Sequence, residues 1–197
     1  SDGTLTDLKA VTVTVTNVNE FAPKITSSSS GSVAENSELS TVIYAIEASD
    51  VDVDTILTYR LSGKDASLLN IDSETGEVTL KSLANYEAKK SYSFNVIAND
   101  GSLTATKAVV VNVTNINEAP IITSSSNEII EEYTNLTTVI YKTIASDVDA
   151  DTTLKYSLSG KDVALLNIDS TTGEVTLKSS ANYETKSSYS FNIMTSD

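Results

Sequence analysis

The sequence contains no cysteine, histidine or tryptophan, and only one methionine, among its 197 residues. Without cysteine there are no disulfide bonds or thiol nucleophiles, and without histidine there are no imidazole bases and none of the usual zinc, copper or haem ligands. No serine stands in a nucleophile motif, and a catalytic carboxylate pair repeated in both halves would be unusual. We therefore expect no enzyme, while oxygen ligands for hard cations remain.

Basic residues are scarce. The chain has 13 Lys and Arg residues against 27 Asp and Glu residues, which gives a formal net charge of −14 and a pI near 4.3. This balance excludes a nucleic-acid partner, since binding a polyanion requires a basic face. No apolar run approaches the roughly 20 residues that a membrane-spanning helix needs, so we expect no membrane insertion. No signal peptide is recognisable.

The chain repeats itself. The stretch "NIDSETGEVTLKSLANYEAKKSYSFNVIAND" from Asn70 reappears as "NIDSTTGEVTLKSSANYETKSSYSFNIMTSD" from Asn167. At the same offset, "STVIYAIEASDVDVDT" from Ser40 matches "TTVIYKTIASDVDADT" from Thr137. Self-similarity over a whole domain length indicates a tandem array.

Each copy consists of short segments rich in Val, Ile, Thr, Tyr and Phe, separated by Gly, Asn, Asp and Ser, as is typical of strands and turns. In the first copy we predict seven strands, near Ile25 and over 41–48, 57–61, 68–71, 77–80, 92–98 and 104–113. The serine runs "TSSSS" from Thr26 and "TSSS" from Thr123 indicate a flexible strand or loop. This pattern predicts an all-β fold of two β-sandwiches.

The first residues look like a last strand. "DGTLTDLKAVTVTVTNVNEFAP" from Asp2 matches "DGSLTATKAVVVNVTNINEAP" from Asp100. We therefore predict that residues 1–16 are the last strand of a preceding repeat, followed by a linker (17–23), a domain (24–114), a second linker (115–120) and a second domain (121–197). Asp197 is equivalent to Asp100, so the second domain is expected to lack its seventh strand in cis. The chain is expected to be a fragment cut inside a domain at both ends.

Alternate aspartates recur in one loop of each copy. Asp50, Asp52 and Asp54 stand in "SDVDVD", and their counterparts in "SDVDAD" are Asp147, Asp149 and Asp151. Such neighbouring acids repel one another unless a cation lies among them, and calcium takes six to eight oxygen ligands. The alternative is that the aspartates simply form turns.

Five motifs in order resemble the cadherin repeat over essentially the whole chain. They are "VAEN", "SDVD", "ANYE", "AND" and the linkers "NVNEFAP" and "NINEAP". The resemblance implies a Greek-key β-sandwich with seven strands, an extracellular location at the cell surface, and about three calcium ions at each junction between repeats.

The same resemblance implies a ligand set. For the junction inside the chain the ligands are Glu35, Glu87, Asn117, Glu118, Asp147, Asp149 and Asp197. Backbone carbonyls around Ile116 and Ala119 are expected to contribute. Three departures stand out. Asn85 and Asn182 replace an acid of the family motif, which weakens the outermost ion. The second acid of the linker is Glu20 or Glu118 rather than aspartate, and the second linker is one residue shorter than the first.

The implied function is a calcium-rigidified stalk of a large bacterial surface adhesin, with neighbouring repeats as partners. A swapped strand anchored by tryptophan is excluded because the chain has none. The alternative is a calcium-dependent carbohydrate-binding module, for which exposed aromatic rings would be needed. The candidate rings are Tyr44, Tyr59, Tyr86, Tyr92, Tyr141, Tyr156, Tyr183 and Tyr189, although their regular strand positions favour packing.

The N-terminal segment suggests self-association. Residues 4–16 of one molecule could add to the open sheet of the next, in a head-to-tail strand complementation. The alternative is a frayed tail. Complementation would create a junction whose ligands are Glu132 and Glu184 of one molecule with Asn19, Glu20, Asp50, Asp52 and Asp100 of the next.

Overall fold

The computed structural model describes residue 3, residues 5–150 and residues 152–197. Ser1, Asp2 and Thr4, from the predicted N-terminal strand, and Asp151, from the second acid run, lie outside the described residues. The chain divides into two units, Ser1–Ile116 and Asn117–Asp197, and each is treated on its own below. Within the described residues, no helix has the length and apolar character needed to span a membrane.

Unit 1 is a β-sandwich, which confirms the all-β prediction. Its strands are β1 (Lys24–Ile25), β2 (Ser30–Ala34), β3 (Tyr44–Ala45), β4 (Ala48–Ser49), β5 (Thr58–Ser62), β6 (Leu69–Ile71), β7 (Glu77–Leu80), β8 (Ser91–Asn99) and β9 (Thr104–Thr114). A four-stranded sheet has the order β2-β9-β8-β5, a second sheet has the order β3-β7-β6, and β1 pairs with β4. One 3₁₀ turn, Ala66–Leu68, precedes β6.

The last strand, β9, organises the larger sheet. It pairs antiparallel with β8 from Ser91↔Asn112 to Asn99↔Thr104, and parallel with β2 from Ser30↔Val110 to Ala34↔Thr114. Its inward residues are nearly inaccessible, with exposures of 1% for Val109, 0% for Val111 and 4% for Val113. They pack with Phe94, Val96 and Tyr44 in one apolar core.

Two strand predictions were wrong. The single strand predicted over 41–48 is two short strands, because Tyr44 pairs with Val78 of β7 whereas Ala48 pairs with Ile25 of β1. No strand was predicted over Ser30–Ala34, yet these residues form β2, which the predicted serine-rich loop from Thr26 overlaps only at Ser30. The residues of β2 have low strand propensity, but β9 holds their backbone. A Cβ on Gly31 would lie 3.0 Å from the Ile43 carbonyl oxygen, so this close approach favours glycine.

Unit 2 repeats most of this architecture. Its strands are β10 (Ile121–Ile122), β11 (Tyr141–Lys142), β12 (Ala145–Ser146), β13 (Lys155–Ser159), β14 (Leu166–Ile168), β15 (Glu174–Leu177) and β16 (Asn192–Ser196). A second 3₁₀ turn, Val163–Leu165, precedes β14. The sheets are β11-β15-β14, β13-β16 and β10-β12. The described residues of unit 2 contain no counterpart of β2 or β9.

A buried ion pair recurs at the same place in both units. Asp65, 5% exposed, accepts hydrogen bonds from Lys89 Nζ (2.8 Å) and the Ser93 backbone N–H (2.7 Å). Burial raises the pKa of Asp65, but these hydrogen bonds and the charges of Lys89 and Lys64 lower it below its ordinary value of 3.8. In unit 2, the hydrogen bonds from Lys186 and Ser190 likewise lower the pKa of Asp162.

This pair predicts an acid-dependent loss of stability. A carboxylate whose folded pKa is depressed stabilises the fold above its unfolded pKa, and that contribution disappears as pH falls through the folded value. Urea unfolding at pH 5 and at pH 3 is therefore expected to show a larger drop in unfolding free energy for the wild type than for Asp65→Asn. Equal drops in the two proteins would contradict this role for Asp65.

Candidate cation sites

The linker and two strand ends of unit 1 bring together one acidic cluster. Asp50 directly follows β4, Asp100 directly follows β8, and Asn19 and Glu20 belong to the preceding linker. With Asp52 these residues form the Asp50 cluster. The structure thus brings together five residues that the sequence assigned to one junction.

Hydrogen bonds fix the loop and the linker to each other. The Asp52 N–H donates to Asp50 Oδ1 (2.9 Å), which holds the two aspartates in a tight turn. Asp52 Oδ2 accepts the backbone N–H groups of Glu20 (3.1 Å) and Phe21 (2.9 Å). The side-chain amide of Asn19 reaches the Asp100 carbonyl oxygen at 3.5 Å. Asp52 therefore holds the linker backbone through two hydrogen bonds.

Three oxygen atoms of the Asp50 cluster have unmet bonding capacity. Asn19 Oδ1, Asp50 Oδ2 and Asp100 Oδ2 are buried and accept no hydrogen bond from any described residue. None of these oxygens can donate a proton when the acids are ionised, so each requires a donor or a cation. The ion pairs found among the described residues involve Asp65, Glu174 and Asp162, and none involves the cluster.

Asp100 is the most buried acid of the cluster, with 9% exposure. Its Oδ1 accepts the backbone N–H groups of Ser102 (2.7 Å) and Leu103 (2.6 Å). Burial raises the pKa of Asp100, but the hydrogen bonds from Leu103, Ser102 and Asn19 together lower it below the ordinary value. The carboxylate is therefore charged at neutral pH while its Oδ2 faces no described donor.

Unit 2 has an equivalent Asp147 cluster. Its members are Asn117, Glu118, Asp147, Asp149 and Asp197. The Asp149 N–H donates to Asp147 Oδ1 (2.8 Å), and the Glu118 N–H donates to Asp149 Oδ2 (2.8 Å). The Asn117 amide donates to the Asp197 carboxylate. Asp147 Oδ2 is buried without a hydrogen-bond partner among the described residues, as Asp50 Oδ2 is in unit 1.

Two glutamates meet at the C-terminal end of β2 in unit 1. Glu35 is 2% exposed and accepts the backbone N–H groups of Tyr86 (2.8 Å) and Ile116 (2.7 Å), one on each carboxylate oxygen. A carboxylate oxygen of the exposed Glu87 lies within 4.8 Å of a carboxylate oxygen of Glu35. We call these residues the Glu35 pair.

The equivalent Glu132 pair of unit 2, Glu132 and Glu184, is more open. Both residues are exposed, and Glu132 accepts one longer hydrogen bond, from the Tyr183 N–H at 3.3 Å.

The two asparagines that replace an acid of the family motif cap turns. Asn85 Oδ1 accepts the Ala88 N–H (2.6 Å), and Asn182 Oδ1 accepts the Thr185 N–H (2.9 Å). Sequence reasoning also missed Asn17, whose side-chain amide donates to the Val53 carbonyl oxygen at 3.3 Å and ties the linker to the acidic loop. Its recurrence as Asn115 was the available signal.

The donor set suits calcium. Every candidate ligand is a carboxylate or an amide oxygen, which are the ligands that calcium prefers, and the chain has no cysteine or histidine to attract softer metals. The buried oxygens of the Asp50 cluster come from three separate segments of one unit. The donor types present therefore suit a calcium ion.

Comparison with known proteins gives one family. Residues 29–114 match the family model described as "Cadherin domain". The human protein "Protocadherin Fat 4" is 28% identical over 96% of this chain, which spans 4% of that relative.

Solved structures agree with this match. The crystal structure of human Protocadherin-24 EC1-2 superposes with a TM-score of 0.71 at 25% identity, covering 90% of this chain and 94% of that one. The Protocadherin gammaB7 EC3-6 structure, described as a cis-dimer, gives 0.61 at 22% identity over 84% of this chain and 46% of that one.

These relatives are cadherins and not enzymes, in agreement with the exclusion of catalysis from the sequence. The relative named above is a human protein, whereas the sequence resemblance was interpreted as a bacterial surface adhesin. Residues 29–114 match a cadherin domain, and the chain has the cadherin fold.

Proposed function

We propose that this chain is a pair of calcium-rigidified extracellular repeats from the stalk of a cell-surface adhesin. The observation that carries the proposal is the set of three buried oxygens of the Asp50 cluster that accept no described hydrogen bond. Asn19 comes from the linker, Asp50 from a loop and Asp100 from a strand end. An ion bound by all three joins the linker to the body of the domain.

The chain's own residues prepare this binding. Asp52 holds the linker backbone through Glu20 and Phe21, and the Ser102 and Leu103 N–H groups orient the Asp100 carboxylate. Calcium, when bound, supplies positive charge that offsets the repulsion among the acids. Without it, a few linker residues between folded units act as a hinge.

By the repeat, we propose the same role for the Asp147 cluster. The Glu35 pair supplies carboxylates to the junction inside the chain, and the Glu132 pair supplies them to a junction with a following repeat. This assignment is supported by the family's ordered motifs and by the orphaned Asp147 Oδ2. A bacterial surface adhesin as parent is supported by the close similarity of the two copies and by the absence of cysteine.

A calcium titration tests the proposal. Isothermal titration calorimetry is expected to show calcium binding that Asp50→Asn weakens by about tenfold or more, since one anionic ligand becomes neutral. Asp72→Asn is the matched control, because Asp72 Oδ1 accepts the Glu74 and Thr75 N–H groups in a similar turn outside the cluster. Equal affinities in the two variants would contradict the assignment of Asp50.

Small-angle X-ray scattering tests the mechanical consequence. We expect the distribution of interatomic distances to broaden when calcium is chelated, because the linkers become free to bend. The maximum dimension of the molecule is expected to change with it. A maximum dimension that stays the same with and without chelator would end the stalk proposal.

The carbohydrate-binding alternative finds no support in the tyrosines. Tyr44 and Tyr92 are buried at 7% and 5% exposure, and only Tyr183 of the eight candidate rings is exposed. No row of exposed rings exists at the repeated positions, all of which the structure describes.

A further inference from the structure

One exposed turn of unit 2 contains an acceptor motif for an N-linked sugar. Asn135, Leu136 and Thr137 form the tripeptide Asn-x-Thr, in which x is any residue except proline. The tripeptide lies between β10 and β11, in a turn that the Thr138 backbone N–H closes by donating to the Asn135 carbonyl oxygen (2.9 Å). Asn135 and Thr137 are exposed, and Leu136 is 43% exposed. A transferase can therefore reach this tripeptide on the folded unit.

The turn holds the Asn135 side chain with its nitrogen atom free. Asn135 Oδ1 accepts two hydrogen bonds from Thr137, one from the backbone N–H (2.9 Å) and one from the Oγ1 hydroxyl (2.9 Å). Asn135 Nδ2 makes no hydrogen bond to any described residue. The hydroxyl of the motif is thus already bonded to the amide that would be modified. The nitrogen that would carry the sugar has no competing acceptor in the described structure.

The second Asn-x-Thr tripeptide of the chain, Asn112 to Thr114, lies in β9. Its backbone is fixed on both sides, since Asn112 pairs with Ser91 of β8 and with Ser32 of β2. The Thr114 hydroxyl donates to the Val33 carbonyl oxygen (3.4 Å) and not to the asparagine of its own motif. Moving this segment into the site of a transferase would break both ladders. The folded protein therefore withholds the second motif.

The counterpart turn of unit 1 has the same shape without the asparagine. Glu38, Leu39 and Ser40 stand where unit 2 has the tripeptide, and the Thr41 N–H closes this turn on the Glu38 carbonyl oxygen (2.9 Å). All three residues are exposed, in a unit whose larger sheet has four strands. Exposure of the turn is thus common to both units, whereas the acceptor asparagine belongs to unit 2.

We propose that Asn135 is an N-glycosylation site. The reaction joins Asn135 Nδ2 to the anomeric carbon of an oligosaccharide whose leaving group is a lipid-linked diphosphate. The bond from that carbon to the diphosphate oxygen breaks, the new C–N bond forms, and Nδ2 gives one proton to a base of the transferase. The inference rests on the proposed extracellular location, because such transferases act on exported chains. It does not use the calcium sites.

Secretion of the full chain from a eukaryotic cell line, followed by peptide mass spectrometry, tests the proposal. Peptide N-glycosidase in water enriched in heavy oxygen converts each glycosylated asparagine into a labelled aspartate. We expect this label at Asn135 in most molecules. An unlabelled Asn135 would overturn the inference. If the same unmodified sample bound calcium, the proposed function would stand, so the two failures are distinguishable.

A reconstituted transfer reaction tests the role of the fold. Purified oligosaccharyltransferase and a lipid-linked oligosaccharide are added to the unmodified folded chain, and short peptides spanning each tripeptide serve as unfolded references. Asn135 is expected to react within about tenfold of the rate of its peptide, whereas Asn112 is expected to react at least about a hundredfold more slowly than its own, because a core ladder must open first. Equal ratios at the two positions would overturn the inference from the fold.

A pair of neighbouring threonine variants identifies the hydroxyl. Thr137→Ala removes the hydroxyl of the motif and is expected to abolish modification in the secreted chain. Thr138→Ala lies in the same exposed turn but outside the motif, so it is expected to leave modification unchanged. Thr137→Ser keeps a hydroxyl and is expected to retain the glycan. Loss of the glycan in both alanine variants would overturn the assignment to the motif.

The repeat also allows a gain of the site. Glu38→Asn creates the tripeptide Asn-Leu-Ser in the counterpart turn of unit 1, which has the same backbone hydrogen bond. The secreted variant is expected to carry a second glycan, at residue 38. A variant that gains no glycan there would overturn the argument that this turn presents an acceptor.

Discussion

Replacing Phe94 with alanine is expected to lower the free energy of unfolding of unit 1 by about 3–5 kcal/mol, the usual cost of removing a buried phenylalanine. Phe94 is 3% exposed and meets the Tyr44 ring edge-on, with centroids 6.1 Å apart. The surrounding β8 and β9 form the longest ladder of the described structure and cannot easily collapse into the cavity. Urea unfolding followed by hydrogen exchange, which resolves the two units, measures the loss.

The repeat supplies the matched control, Phe191→Ala. Phe191 meets Tyr141 at 5.8 Å in the same edge-on geometry, but it is only half-buried in the described structure. Its loss is expected to cost about 1–2 kcal/mol, since less apolar surface returns to water. Equal losses at the two positions would mean that the difference in burial does not set the cost.

Replacing Glu35 with alanine is expected to cost unit 1 about 2–4 kcal/mol, because two backbone donors lose their acceptor at a buried position. Glu35 joins the Tyr86 N–H to the Ile116 N–H through its two carboxylate oxygens. It thereby ties the turn after β7 to the chain that leaves β9. The loss should appear in urea unfolding with EDTA present, which separates it from any contribution of bound calcium.

Glu132→Ala is the corresponding control. Glu132 is exposed and accepts one hydrogen bond, at 3.3 Å, so we expect an effect of less than about 1 kcal/mol in EDTA. A cost at Glu132 as large as that at Glu35 would show that the buried double acceptor is not what makes Glu35 important.

The members of the candidate site could be named from the sequence, and their role as metal ligands stays a prediction. Acids such as Asp50 and Asp147 stand in the same motif of each copy, and the resemblance assigned the whole set to junctions before any contact was known. The hydrogen bonds from the linker backbone to Asp52 were not predictable, because they depend on which backbone N–H groups point toward that carboxylate. Local sequence does not encode such a long-range geometry.

The strand errors have tertiary causes. Alternating residues predict that a segment is extended, but they do not show that Tyr44 and Ala48 pair in different sheets. The stretch Ser30–Ala34 has weak intrinsic preference and becomes a strand because β9 lies beside it. In unit 2 the equivalent residues 127–131 have no such neighbour among the described residues, and they form no strand.

The parallel pairing of β2 with β9 has a consequence for biosynthesis. One strand lies near the beginning of a domain and the other at its end, so the pairing has a high contact order and closes late. During synthesis on the ribosome, β2 cannot pair with β9 until the whole domain has emerged. In an array of nearly identical repeats, the strand that arrives first could belong to the wrong domain, and misassembly between neighbours would compete with correct folding.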